Sequence, residues 1–326
     1  MSKLITGGTG FLGSELSHIL VNRGEDIILF DVNPNWDRIR DIRDKVKVIP
    51  GNLTNWSEVF NAIKENNVEG IYHLGSMLSL PSQENPWASF EVNVCGTMYV
   101  LEAARLFNVG KVVFISSLST YSLGVPRIVT DDTLQRPTSM YGCGKLYCEL
   151  LGRFYRSKFG LDFRTFRSPI LIGPGVRTPG AAQYVSLMIE HAALGKPYEC
   201  YVSEDTRSSG VMYFKDAARA LDMLYQASTE QIKTINYNVA GLKQSIAAEE
   251  LENMIKKYVP NFSVNYKPDK EAVEYLQKYK TAMQIIDDTR AREEWRWKPL
   301  YEDLDSIIID FVKEVRTRPE FYGITK

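Results

Sequence analysis

Hydrophobic and polar positions along the first 165 residues switch repeatedly between a strand-like and a helix-like spacing. Leu4 to Thr6 is a short apolar run, Phe11 to Arg23 repeats apolar residues at helical intervals, and Asp26 to Phe30 is again of strand length. Val46 to Pro50 and Gly70 to Leu74 are further short runs, separated by the amphipathic stretch Trp56 to Asn66. A long helical pattern from Trp87 to Phe107, a strand from Lys111 to Ser116, a helix from Tyr141 to Phe159 and a strand from Phe163 to Arg167 complete the series. Strands alternating with helices predict an α/β fold built on a doubly wound parallel sheet. Chain chirality makes its crossovers right-handed.

After Ser168 the pattern loosens. Gly173-Pro174-Gly175 and Thr178-Pro179-Gly180 mark loops. Asn236 to Val239 reads as one more sheet strand, while Ile246 to Tyr258 and Tyr301 to Val315 read as helices. The expected division is a sheet domain over residues 1–167 and a smaller lobe over 168–326, with a segment near 211–242 returning to the sheet domain.

Composition narrows the class. A chain of 326 residues with 44% hydrophobic and 24% charged residues suits one large globular α/β unit with an appendage. A net charge of -1, with both signs interspersed, leaves no footprint for nucleic acid or an anionic membrane. The apolar runs fall far short of the roughly 20 residues of a membrane span. Lys3-Leu4-Ile5-Thr6 already reads as a strand with no leader before it, so a cytoplasmic location is expected. The cysteines at 95, 143, 148 and 200 lack Cys-x-x-Cys spacing, and three scattered histidines suggest no metal site.

The strongest local chemistry follows the first strand. In Thr6-Gly7-Gly8-Thr9-Gly10-Phe11-Leu12-Gly13 the glycines at 7, 10 and 13 open a helix directly after a strand. Gly7 suits a tight turn, Gly10 lets backbone approach a pyrophosphate, and Gly13 allows close helix–sheet packing, with N–H groups of Phe11 and Leu12 at the helix start. Asp31 ends the second strand, where a carboxylate accepts from adenosine ribose hydroxyls and repels a 2′-phosphate. Val32, Asn33 and Pro34 follow without an arginine, which favours NAD over NADP.

Ser116 and Ser117 end a later strand, where open α/β sheets place ligands. Tyr141 and Lys145 come at i and i+4 on the next predicted helix, on one face. An ammonium roughly 5 Å from the phenol, at an effective dielectric near 20, favours phenolate by about 3 kcal/mol. That lowers the tyrosine pKa by about two units, into general-base range. Ser117 would hold the substrate oxygen, giving Ser117, Tyr141 and Lys145 as the catalytic set.

Together with His73-Leu74-Gly75 and Asn93, these motifs resemble the extended short-chain dehydrogenases/reductases of the NAD-dependent epimerase/dehydratase kind, over essentially the whole chain. The resemblance implies a Rossmann-type sheet with a C-terminal substrate lobe. It places Leu74, Gly75 and Asn93 beside the cofactor, Asn52 and Leu53 at the adenine, and Pro169 near the nicotinamide amide, with Ser116, Tyr141 and Lys145 also contacting NAD. Asn52 stands where the family usually has Asp, and Gly144 where it often has Ser. The resemblance further implies a homodimer formed through the helices Trp87 to Phe107 and Tyr141 to Phe159.

Longer strings, among them Met77-Leu78-Ser79, Glu84-Asn85-Pro86, Arg136 to Gly142 and Tyr237-Asn238-Val239-Ala240-Gly241, are similar to the L-threonine 3-dehydrogenase branch. That branch carries Gly-Gly-Thr-Thr-Asp-Tyr where this chain reads Pro179-Gly180-Ala181-Ala182-Gln183-Tyr184. Two hydroxyls and a carboxylate are thus replaced by two methyls and an amide, at a cost to threonine of about 1–3 kcal/mol per lost partner. A Ser-Trp-Pro element is also missing before Ile286-Asp287-Asp288, where Lys280-Thr281-Ala282-Met283 stands. Ser79, Gly180, Ala181 and Gln183 are expected at the substrate beside Ser117 and Tyr141, while Arg177, Arg207, Ser208 and Ser209 offer anion-binding groups on lobe loops.

The expected function is NAD-dependent oxidation of a secondary alcohol on a small polar molecule, a hydroxy acid or amino alcohol. Sugar or sugar-nucleotide epimerisation or dehydration is the alternative, although Ile170 and Ser209-Gly210-Val211 replace residues those enzymes use for a nucleotide anchor. A catalytically silent NAD sensor is the third reading.

Overall fold

The computed structural model describes residues 2–177, 182–208, 210–242, 245–280, 283 and 285–324. Its elements, in chain order, begin with β1 (Ser2–Thr6), α1 (Phe11–Asn22), β2 (Ile27–Asp31), β3 (Lys47–Pro50), α2 (Trp56–Lys64) and β4 (Val68–His73). They continue with α3 (Gly96–Leu106), β5 (Lys111–Ser117), α4 (Met140–Phe159) and β6 (Asp162–Ser168). The second half adds α5 (Tyr184–Ala193), α6 (Phe214–Gln226), β7 (Asn236–Asn238), α7 (Ala248–Lys256) and α8 (Leu304–Thr317).

The seven strands form one parallel sheet in the order β7-β6-β5-β4-β1-β2-β3. Strand order reverses between β1 and β4, which pair in register from Lys3 opposite Gly70 to Thr6 opposite His73. Such a switch point opens a crevice at the carboxyl ends of the strands. One face of the sheet is covered by α1 and α6, through Leu12, Leu16, Leu20, Ala217, Leu221 and Leu224. The other is covered by α2, α3 and α4, through Val59, Ile63, Val100, Leu101, Cys148 and Tyr155. A third apolar cluster lies in the second half, where Met188 and Ile189 of α5, Leu251 and Ile255 of α7, and Ile307, Ile308 and Phe311 of α8 pack together.

The observed elements depart from the periodicity reading in two places. The long helical pattern from Trp87 to Phe107 is interrupted: a short helix at Pro86–Ser89 passes through a π turn at Phe90–Cys95 before α3 begins. Asn93, in that turn, spends its side chain on Met77, accepting from its N–H at 2.7 Å and donating to its carbonyl at 2.9 Å. A single wide turn adds about one residue to an otherwise continuous helical stretch, too small a change for a periodicity reading to mark. Ile246 and Ala247 form a two-residue strand paired with Arg207–Ser208, and α7 starts only at Ala248.

Candidate active site

A cleft of about 970 Å³ runs over the carboxyl ends of the strands. At one end lies the turn after β1. Gly7 adopts φ +65°, and a Cβ on Gly13 would sit 2.1 Å from the Gly7 carbonyl oxygen, so any side chain there would force turn and helix apart. No side chain caps the α1 N-terminus, which leaves its first N–H groups and dipole directed at the cleft lined by Gly10, Phe11, Leu12 and Gly13. Asp31 closes this end. Its Oδ2 accepts from the Thr9 N–H at 3.1 Å and the Thr9 hydroxyl at 2.8 Å, and its Oδ1 from the Asn33 N–H at 3.2 Å. A carboxylate offers about four lone-pair sites, so acceptor capacity remains for ribose hydroxyls. Asn52, Leu53, Leu74 and Gly75 line the same stretch.

The crevice between β1 and β4 is held by a buried chain of hydrogen bonds. His73 reaches the Thr6 hydroxyl at 2.7 Å and the Thr97 hydroxyl at 2.9 Å. Burial pushes its imidazole down to about 3, so it stays neutral. Thr6 also accepts from the N–H groups of Leu74 and Gly75, at 3.1 and 3.0 Å.

At the other end, Ser139 caps α4 by accepting from the Gly142 N–H at 3.1 Å. A Cβ on Gly142 would fall 2.2 Å from the Ser119 carbonyl oxygen, so this glycine lets the helix start press against the turn after β5. The contact brings Tyr141 to Ser117. Its hydroxyl faces the Ser117 and Ser76 side chains, and the Lys145 Nζ lies 5.5 Å from its ring centroid. Lys145, only 2% exposed, donates to the Ile115 carbonyl at 2.9 Å and sits over the Phe114 ring at 4.5 Å.

The electrostatics correct one expectation. Tyr141 is not shifted toward phenolate: burial raises its pKa to about 12, against smaller lowering by its bonds to Ser117 and Ser76. Burial likewise brings Lys145 down to about 8, Cys148 and Glu149 opposing. Withdrawal from water outweighs the attraction that the i, i+4 spacing suggested. Beneath them lies a buried ion pair: Arg167 donates to both Glu149 oxygens, at 2.7 to 3.0 Å, and Ser116 donates to Glu149 at 2.5 Å. Glu149 stands four residues beyond Lys145 on α4, so this pair joins α4 to the ends of β5 and β6.

Ser79, Ser116, Ser117, Pro169, Arg177 and Gln183 all line the cleft. Arg177 is half exposed and pairs with Glu190 at 2.9 Å. Two expectations fail. Arg207 turns to the outside of the lobe, bonding Glu250 at 2.5 Å and the Ser245 carbonyl at 3.0 Å, because its short strand pairs along the lobe edge. Asn93 is buried against Met77 and does not line the cleft. Ser208 is buried within the lobe. Gly180, Ala181 and Ser209, with residues 178–179 and 281–282, lie outside the described residues. Sequence reasoning missed Ser76, Arg38, Asn35 and Tyr121 as cleft residues. Ser76 had a signal, since it directly follows His73-Leu74-Gly75; the others had none.

The chain belongs to the NAD dependent epimerase/dehydratase family, whose model matches residues 3–240. It is 30% identical over 308 residues to an uncharacterized epimerase/dehydratase of Staphylococcus epidermidis, covering 92% of this chain and 93% of that one. It is 29% identical over 300 residues to the mitochondrial L-threonine 3-dehydrogenase of Bos taurus, covering 90% of this chain and 78% of that one. The solved L-threonine dehydrogenase of Clostridium difficile superposes with a TM-score of 0.87 at 29% identity, over 98% of each chain. The cofactor of this family is NAD, and the uncapped α1 terminus, the Gly7 to Gly13 cradle and Asp31 suit it. Among the described residues, no helix is long and apolar enough to cross a membrane.

Proposed function

We propose that this member of the NAD dependent epimerase/dehydratase family oxidises the secondary alcohol of a small polar molecule by hydride transfer to NAD. The observation that carries the reading is Tyr141 facing Ser117, with Lys145 beneath its ring, in the cleft whose far end is the glycine cradle. NAD, when bound, supplies the hydride acceptor. Ser117 holds the substrate oxygen, Tyr141 takes the hydroxyl proton as the C–H electron pair departs, and the carbon–oxygen bond becomes a carbonyl. At neutral pH Lys145 is still protonated, and its charge favours the phenolate as the proton moves. Tyr141 itself is neutral in the resting protein. It is therefore poised to donate in the reverse direction, and the alcohol-oxidising direction gains from alkaline pH.

The charges lining the cleft favour a hydroxy acid over an amino alcohol. Asp31, at the adenosine end, is the acidic side chain among the described lining residues. A substrate ammonium would find no carboxylate among the described lining residues, whereas a carboxylate would find Arg177, half exposed beside its partner Glu190. Absorbance of NADH during turnover of L-threonine and of 3-hydroxybutanoate, which lacks only the amino group, tests this. The hydroxy acid should turn over at least tenfold better, with epimerisation excluded by net NADH. Tyr141→Phe should lower kcat about 10²- to 10⁴-fold and leave the NAD Kd within about twofold; retained turnover would remove Tyr141 from the mechanism.

The chain also acts as a homodimer in this reading. Tyr147, Leu150 and Phe154 expose one stripe of α4, with Met98 and Leu106 of α3 also exposed. Leu150→Glu should convert a dimer to a monomer in sedimentation, and a wild-type monomer would sink the proposal.

A further inference from the structure

Among the described residues, four charged side chains line the cleft: Asp31, Arg38, Lys145 and Arg177. Asp31 is engaged by Thr9, Arg177 by Glu190, and Lys145 lies at the reacting end. Arg38 is different. It follows β2 in a short 3-10 turn at Asp37–Ile39 and is 7% exposed. Its guanidinium lies over the ring of Phe11, the first residue of α1, at 5.6 Å, and over the ring of Tyr322 at 5.8 Å. One of its side-chain nitrogens donates to the Gly175 carbonyl at 2.7 Å. Among the described residues no aspartate or glutamate pairs with it, and Glu190, whose charge reaches it, is taken by Arg177 and the Gly175 N–H.

A buried guanidinium with five donors, one neutral acceptor and no counter-charge is costly unless an anion arrives. It stands against the first residue of a helix whose N-terminus is uncapped and lines the same cleft as Gly10 to Gly13. We propose that Arg38 is a cofactor-binding residue that holds the pyrophosphate of NAD, opposite the N–H groups of α1. The proposal rests on NAD occupying this cleft. Bonded also to Gly175, Arg38 would tie the Gly173 to Gly175 loop to the cofactor's phosphates. An arginine this far past β2 is outside the position that distinguishes NADP from NAD, so it reads the bridge shared by both and not the 2′ position.

Calorimetric titration of the full chain with NAD, ADP and adenosine tests this without turnover. For Arg38→Gln, affinity for NAD and for ADP should fall about tenfold to a hundredfold, that for adenosine should stay within about twofold, and the salt dependence of NAD binding should flatten. Arg38→Lys, which keeps the charge and loses the fork, should fall in between. Melting temperatures of the free variants report whether each folds. NAD affinity within about twofold of wild type in Arg38→Gln, or equal weakening of NAD and adenosine, would overturn the proposal and leave Arg38 a latch between Phe11 and Gly175. A wild-type protein that binds no NAD would overturn the cofactor assignment itself, and the two failures are thereby distinct.

Discussion

Lys145 should make the protein less stable at neutral pH than it is at alkaline pH, and the effect is measurable. Burial lowers its pKa from 10.5 to about 8. At 1.36 kcal/mol per pKa unit this corresponds to about 3 kcal/mol of destabilisation while the folded state must carry the charge. The sign follows from proton counts. Below pH 8 both folded and unfolded chains hold the proton, and the cost is present in full. Between about 8 and 10.5 the unfolded chain still binds a proton that the folded one has released, so stability rises with pH. By pH 10 about 2.5 kcal/mol should be recovered. Lys145→Met removes the titration while keeping an unbranched stem against Phe114. It also deprives the Ile115 carbonyl of a donor, a loss that does not vary with pH. Urea unfolding of both proteins at pH 7, 8, 9 and 10, followed by tryptophan fluorescence, isolates the pH-dependent part. The wild type should gain about 2–3 kcal/mol on the variant between pH 7 and 10. A difference that stays flat within about 0.5 kcal/mol would refute the argument that burial, and not pairing, governs this lysine.

Three further outcomes are expected. Arg167→Leu leaves Glu149, which is 0% exposed, without its guanidinium and should cost about 3–5 kcal/mol in urea unfolding, whereas a loss below 1 kcal/mol would mean the pair is not buried in solution. Gly13→Ala, whose Cβ would lie 2.1 Å from the Gly7 oxygen, should weaken NAD binding at least tenfold by calorimetry with the melting temperature also lowered. Gln183→Asp puts a carboxylate at the substrate end of the cleft and should raise kcat/KM for L-threonine about tenfold relative to 3-hydroxybutanoate; an unchanged ratio would show that residue 183 does not face the substrate amino group.

The strand and helix alternation of the first half was readable because its causes are local. Apolar runs of strand length and helical periodicity are properties of neighbouring residues, and so is a turn rich in glycine followed by Asp31 at a strand end. The serines ending β5 and the pair Tyr141 and Lys145 were readable for the same reason, and the structure brings them together at one end of a single cleft. The π turn at Phe90–Cys95 escaped because one added residue in a long helical stretch is a small change in the pattern. Arg207 was misplaced because an arginine on a lobe strand looks alike whether it faces the cleft or Glu250.

What the sequence determined alone is therefore the set of local groups: a glycine turn opening a helix, an acidic strand end, and a tyrosine, lysine and serine placed to meet in one cleft. Tertiary structure decided how those groups are tuned. Tyr141 is raised to about 12 and Lys145 lowered to about 8 by packing that no i, i+4 spacing encodes. Arg38 meets the Gly175 carbonyl across 137 residues of chain, and Ser116 meets Glu149 across 33. The physical reason is that hydrogen-bonding type belongs to a residue, whereas desolvation and the presence or absence of a counter-charge belong to whatever the fold packs around it.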